Sequence, residues 1–107
     1  MTNIMACLER ELPPGTMKNI NLLGHTVLVV NVNGHYFAID GLCSDQGGNL
    51  ADGVLNGFTV RCPLHGSEFD VRTGEVLKEP WNSSKKIPQL RSYPVSVDKG
   101  CVNIDIT

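Results

Sequence analysis

The chain has 107 residues, with nine lysines and arginines against eleven aspartates and glutamates, a formal net charge of −2. That length suits one domain with one core, taken here as residues 1–107, and the even charge balance leaves no basic footprint for nucleic acid. The longest apolar run, residues 27–30, falls far short of the roughly 20 residues that a membrane helix needs, so no membrane partner is expected.

The first ten residues have neither a basic start nor an apolar stretch of signal-peptide type, and the expected location is the cytoplasm. Four cysteines are present: Cys7, Cys43, Cys62 and Cys101. In a reducing compartment, metal binding or catalysis is a better reading of cysteine than a disulfide.

Short apolar or β-branched runs recur along the chain, separated by turn signals. Residues 27–32 and 36–39 flank Asn33-Gly34, and residues 54–55 and 58–60 flank Asn56-Gly57. Both dipeptides predict a type I′ hairpin. Residues 69–71 and 75–77 flank Arg72-Thr73-Gly74. Residues 78–90 are polar and proline-containing, and read as an ordered loop. Residues 93–97, apolar at every second position, and residues 101–106 flank a last hairpin signal at Asp98-Lys99-Gly100. No window of ten residues carries a helical period. Eleven glycines and six prolines suit a turn-rich, all-β chain folded as a small antiparallel sandwich or barrel.

Several chemically capable residues have ordinary readings. His25 and His35 follow turn glycines and read as surface histidines. Cys7 and Cys101 lie in predicted strands and read as small buried hydrophobes.

The informative segment is residues 42–70. It holds Cys43-Ser44-Asp45, then sixteen residues, then Cys62-Pro63-Leu64-His65. Thiolates are soft ligands for iron or zinc, and imidazole suits both metals. Gly47-Gly48 follows the first group and Gly66 the second. Glycine lets a loop turn tightly and brings backbone N–H groups close to whatever the loop holds.

This segment resembles the Rieske motif, C-x-H followed after about sixteen residues by C-x-x-H. Asn49-Leu50, Asp52-Gly53, Cys62-Pro63, His65-Gly66, Phe69-Asp70 and Thr73-Gly74 are similar to the family's flanking pattern. The resemblance implies a Rieske-type antiparallel β-sandwich with a small cluster-binding subdomain, in which loops 43–48 and 62–67 hold a [2Fe–2S] cluster. It implies Cys43 and Cys62 on the inner iron, His65 on the outer iron, and Ser67 as a hydrogen-bond donor to the cluster. Trp81, after Pro80, is then expected to pack the 78–90 loop onto that subdomain. High-potential respiratory members carry a disulfide between the two loops and a tyrosine near the cluster. Gly48 and Leu64 stand at the disulfide positions and Phe69 at the tyrosine, which implies the low-potential ferredoxin type.

The departure is Asp45, which occupies the first histidine position. Either its carboxylate binds the outer iron, giving two cysteines, one aspartate and one histidine, or the site has lost its cluster and the fold serves as a binding module. Cys43, Asp45, Cys62 and His65 are also a plausible tetrahedral zinc set. The leading expectation is a one-electron carrier, not an enzyme, that takes an electron from a reductase and passes it to an oxygenase or other redox partner. The alternatives are a cluster-free subunit of a reductase and a structural zinc site. An oxygenase catalytic subunit fails on length, with no further set of two histidines and a carboxylate for a mononuclear iron.

Overall fold

A computed structural model of the chain describes residues 3–44, 47–81 and 86–107. The described residues form eleven strands: β1 (Asn3–Leu8), β2 (Met17–Leu22), β3 (His25–Val32), β4 (His35–Asp40), β5 (Val54–Asn56), β6 (Thr59–Arg61), β7 (Glu68–Asp70), β8 (Val76–Lys78), β9 (Ser92–Tyr93), β10 (Val95–Asp98) and β11 (Cys101–Asp105). They make three antiparallel sheets, ordered β1-β11-β10, β2-β3-β4-β9 and β5-β6-β7-β8. The helical content among them is two single 3-10 turns, Glu9–Glu11 and Leu50–Asp52. No helix among the described residues is long and apolar enough to cross a membrane.

The second sheet is the middle layer, and β3 shows why. A strand points successive side chains to opposite faces. Val27 and Val29 enter one core with Cys7, Ala38, Tyr93, Val102 and Ile104. Leu28, Val30 and Val32 enter a second core with Ile39, Val60, Phe69 and Val71. A strand buried on both faces reads as an unbroken apolar run rather than an alternation, which is what residues 27–30 present. Burying each such side chain contributes about 1.5–3 kcal/mol, so this one strand contributes heavily to both cores.

The turns follow local chemistry. Val32 faces His35 across Asn33 (φ 53°) and Gly34 (φ 89°), the type I′ geometry expected of Asn-Gly. Buried Asn31 supports it, accepting from Gly34 N–H at 2.8 Å and donating to the Leu12 carbonyl at 2.8 Å. Asp98 and Cys101 close the same turn over Lys99 (φ 51°) and Gly100 (φ 78°).

Two expectations need correction. The second hairpin pairs Asn56 with Thr59, so Gly57 and Phe58 are its central residues and only Gly57 (φ 60°) is left-handed. That is a type II′ arrangement with glycine first, not the type I′ turn expected at Asn56-Gly57. The alternating run 93–97 is not one strand. Tyr93 pairs with Ala38 in the middle sheet, whereas Val95 pairs with Ile104 in the outer one. Pro94, which has no N–H for a ladder, sits at the crossing, and its carbonyl accepts from Asp105 N–H at 3.0 Å.

Candidate metal centre

The two cysteine loops are built alike. Loop 43–48 leaves β4 through Gly41 and Leu42, and Leu42 pairs with Asn49 at its neck. Cys43 N–H donates to the Gly48 carbonyl at 2.7 Å, and Gly47 N–H returns to the Cys43 carbonyl at 3.1 Å. Loop 62–67 joins β6 to β7, with Arg61 facing Glu68 at its neck. Cys62 N–H donates to the Ser67 carbonyl at 2.8 Å, and Gly66 N–H returns to the Cys62 carbonyl at 3.2 Å. In each, the fifth residue is a glycine in the left-handed region, Gly47 at φ 68° and Gly66 at φ 73°. L-residues with side chains pay strain there, which explains a glycine four residues after each cysteine.

The loops face one another. A β-carbon on Gly48 would lie 2.7 Å from Cys62 Sγ and 3.1 Å from the Leu64 side chain. Cys43 and Cys62 are both buried, in the core shared with Leu50, Val60 and Phe69. No disulfide joins any of the four cysteines. His65 is half-buried, between exposed Leu64 and buried Gly66.

A segment distant in sequence braces both loops. Ser44 Oγ donates to the Pro88 carbonyl at 2.7 Å. Leu90 N–H donates to the Gly74 carbonyl at 2.9 Å, and Gln89 reaches the Thr73 carbonyl. Trp81 N–H donates to the His65 carbonyl at 3.0 Å, and its ring lies against Gly66. The 73–74 turn is itself fixed by Asp70, whose carbonyl accepts from Gly74 N–H at 2.7 Å. Arg72 binds the Asp70 carboxylate through Nε at 3.0 Å, Nη2 at 2.9 Å and its own N–H at 2.8 Å. These bonds hold the Asp70 carboxyl below the ordinary carboxylate range, the Arg72 side chain first among them and burial opposing. Sequence reading placed Trp81 against this region but offered no signal for the Ser44–Pro88 link.

Of the residues singled out by the motif, Cys43, Cys62, His65 and Ser67 lie in these two facing loops, while Asp45 lies outside the described residues. Among the described residues, no three His, Cys, Asp or Glu side chains converge on a single-ion site. Ligands divided between two irons do not need such a point of convergence. Two features fit a sulfide-bridged cluster. Ser67 Oγ is fully buried with no hydrogen-bond partner, a state that costs about 1–3 kcal/mol unless an acceptor meets it. Gly48 leaves its backbone open beside Cys62 Sγ, where a side chain would collide.

The family profile of the Rieske [2Fe–2S] domain matches residues 2–94. The chain belongs to the Rieske [2Fe–2S] domain family, whose cofactor is that cluster, and the three-sheet fold is the family's fold. It is 32% identical over 93 residues to the ferredoxin component of the naphthalene 1,2-dioxygenase/salicylate 5-hydroxylase systems of a Ralstonia species, covering 87% of this chain and 84% of that protein. The ferredoxin of carbazole 1,9a-dioxygenase from Nocardioides aromaticivorans superposes with a TM-score of 0.88 at 30% identity, over 97% of both chains. A complex of reduced oxygenase and oxidized ferredoxin in carbazole 1,9a-dioxygenase contains a chain that superposes with a TM-score of 0.83 at 28% identity, over 95% of this chain and 91% of that one. These relatives are electron-transfer components and not catalytic subunits.

Proposed function

We propose that the protein is a soluble, cytoplasmic one-electron carrier of a ring-hydroxylating oxygenase system, a single Rieske domain receiving electrons from a reductase and delivering them to a terminal oxygenase. The observation that carries this reading is the pair of matched, facing loops with two buried cysteines and an unsatisfied Ser67 hydroxyl. Cys43 and Cys62 would hold one iron, and His65 with Asp45 the other. When bound, the cluster supplies reversible one-electron chemistry, and no substrate bond is made or broken by the chain.

The chain's own residues hold and tune that group. Buried Ser67 offers a hydroxyl proton to an acceptor. Donors of this kind stabilise the more negative, reduced state and raise the potential. Asp45 acts in the opposite sense. Replacing a neutral imidazole by a carboxylate adds one negative charge, worth roughly 4 kcal/mol at about 4 Å and an effective dielectric near 20. At about 2.3 kcal/mol per 100 mV, the drop is on the order of 150–200 mV. Two-histidine centres span about −150 to +300 mV, which puts this protein near or below the lower end.

The test is iron and acid-labile sulfide on anaerobically purified protein, with its visible and low-temperature EPR spectra. Two irons and two sulfides per chain, with a rhombic reduced signal that changes in Asp45→His, are expected. Protein that stays colourless and iron-free after reconstitution would remove the reading.

A further inference from the structure

The chain's single tryptophan sits on the outside of the second cluster loop. Pro80 before it is buried, while Trp81 itself is 62% exposed. Three contacts fix it there. Its N–H donates to the His65 carbonyl at 3.0 Å. Its six-membered ring lies so close to Gly66 that a β-carbon there would be 2.3 Å from Cε3 and Cζ3. The Arg61 guanidinium lies 5.5 Å from the ring centroid, within cation–π range. Cys62, Pro63, Arg61, Gly53 and Trp81 line one shallow surface groove, so the indole forms a wall of the space beside the loop.

An exposed indole held by its backbone, by a glycine and by an arginine is more constrained than a surface tryptophan needs to be. Packing onto Gly66 cannot be exchanged for another side chain at that position, because Gly66 is left-handed at φ 73° and its Cβ space is already filled.

We propose that Trp81 is a positioning residue for the redox centre: it fixes the His65 backbone and keeps water off the outer side of the second loop, and so lowers the reduction potential. This rests on the reading given under Proposed function. The direction follows from charge. Reduction makes the centre more negative, and water stabilises the more negative state. An apolar plate that excludes water therefore favours the oxidised form. Removing the plate while leaving the backbone N–H shifts the potential upward.

The test is electrochemistry on cluster-loaded protein carrying Trp81→Ala, Trp81→Leu or Trp81→Phe, with iron and sulfide counted on each sample. We expect parental iron content, a positive shift of midpoint potential in Trp81→Ala, a smaller positive shift in Trp81→Leu, and a value close to the parent in Trp81→Phe. A fully loaded Trp81→Ala with the parental potential overturns the proposal. Should the alanine variant lose iron, Trp81→Leu decides in the same way, because it retains an apolar cover of smaller area. Parent protein that takes up no iron and sulfide on reconstitution is a different result. It removes the carrier reading itself and this inference with it.

Discussion

Gly48 and Cys62 sit on different loops, yet an added β-carbon on the first would lie 2.7 Å from the sulfur of the second. The space between the loops is set by an absent methyl group. Gly48→Ala must push either Cys62 or Leu64 aside, and overpacking of this kind typically costs about 1–3 kcal/mol. Reconstituted Gly48→Ala is expected to hold markedly less iron per chain than the parent, and to unfold earlier in urea by that margin. Colorimetric iron assay and urea titration check the two parts separately.

With the ligand set proposed above, Asp45→His would give the outer iron two neutral ligands. The midpoint potential is expected to rise by about 150–200 mV, from the same charge argument at an effective dielectric near 20. Asp45→Asn removes the charge without supplying an imidazole, and should raise the potential of whatever cluster it retains. Protein-film voltammetry on both variants reads the charge contribution directly.

The Asp70–Arg72 pair predicts a limb of acid stability. Asp70 is depressed below its ordinary value of 3.8 by Arg72. A carboxyl with a depressed folded pKa gives stability that is present above the unfolded value and is lost as pH falls through the folded one. Stability should therefore hold at neutral pH and fall away below pH 3.8. Asp70→Asn should be less stable at pH 7 and lose part of that acid dependence. Urea midpoints measured from pH 7 down to pH 2.5 test it. The bonds by which Asp70 holds the turn that meets Leu90 are accepted by its main-chain carbonyl, so the variant leaves them in place and reports on the side-chain charge.

Tyr93 gives an alkaline counterpart. Burial, followed by the hydrogen bond from its hydroxyl to Asp40 at 2.7 Å, pushes its phenol up to about 12. A raised folded pKa contributes stability that is complete below the unfolded value and is lost as pH rises through the folded one. Folded protein should show a phenolate absorbance step near pH 12 that Tyr93→Phe abolishes, and the loss of stability between pH 10 and 12 should lessen in the variant. The lost hydrogen bond should cost about 1 kcal/mol at neutral pH. Tyr36 is also raised, mainly by burial, so the remaining step in Tyr93→Phe is expected above pH 10.

Much of this was legible in the chain itself. Asn33-Gly34 names its turn because both central positions need φ above zero, which asparagine and glycine tolerate, whereas Asp98-Lys99-Gly100 signals its turn through Gly100 alone, with Lys99 also left-handed at φ 51°. The loops bearing Cys43, Cys62, His65 and Ser67 were legible because their cysteine and histidine spacing and their glycine positions resemble the Rieske motif. Other features left no signal. The turn between β2 and β3 places Leu23 at φ 51° with its side chain 70% exposed, and leucine is a poor marker for such a position. The division of residues 93–97 between two sheets depends on Pro94 meeting an edge that only the folded sheets create. Trp81 was expected against the cluster-loop subdomain, but its particular partner Gly66, fifteen residues back across an intervening strand pair, is recorded by no local pattern.

The alternation along β3 assigns two identical neighbours to different cores. Val29 and Val30 are neighbours with the same side chain, both fully buried. Val30 belongs to the core that contains Cys43 and Cys62, whereas Val29 belongs to the other. Trimming Val29 would open a cavity in the core without the two cysteines, while trimming Val30 would open one in the core that they share. The same truncation at adjacent positions would therefore test two cores separately, and only the second also contains Cys43 and Cys62.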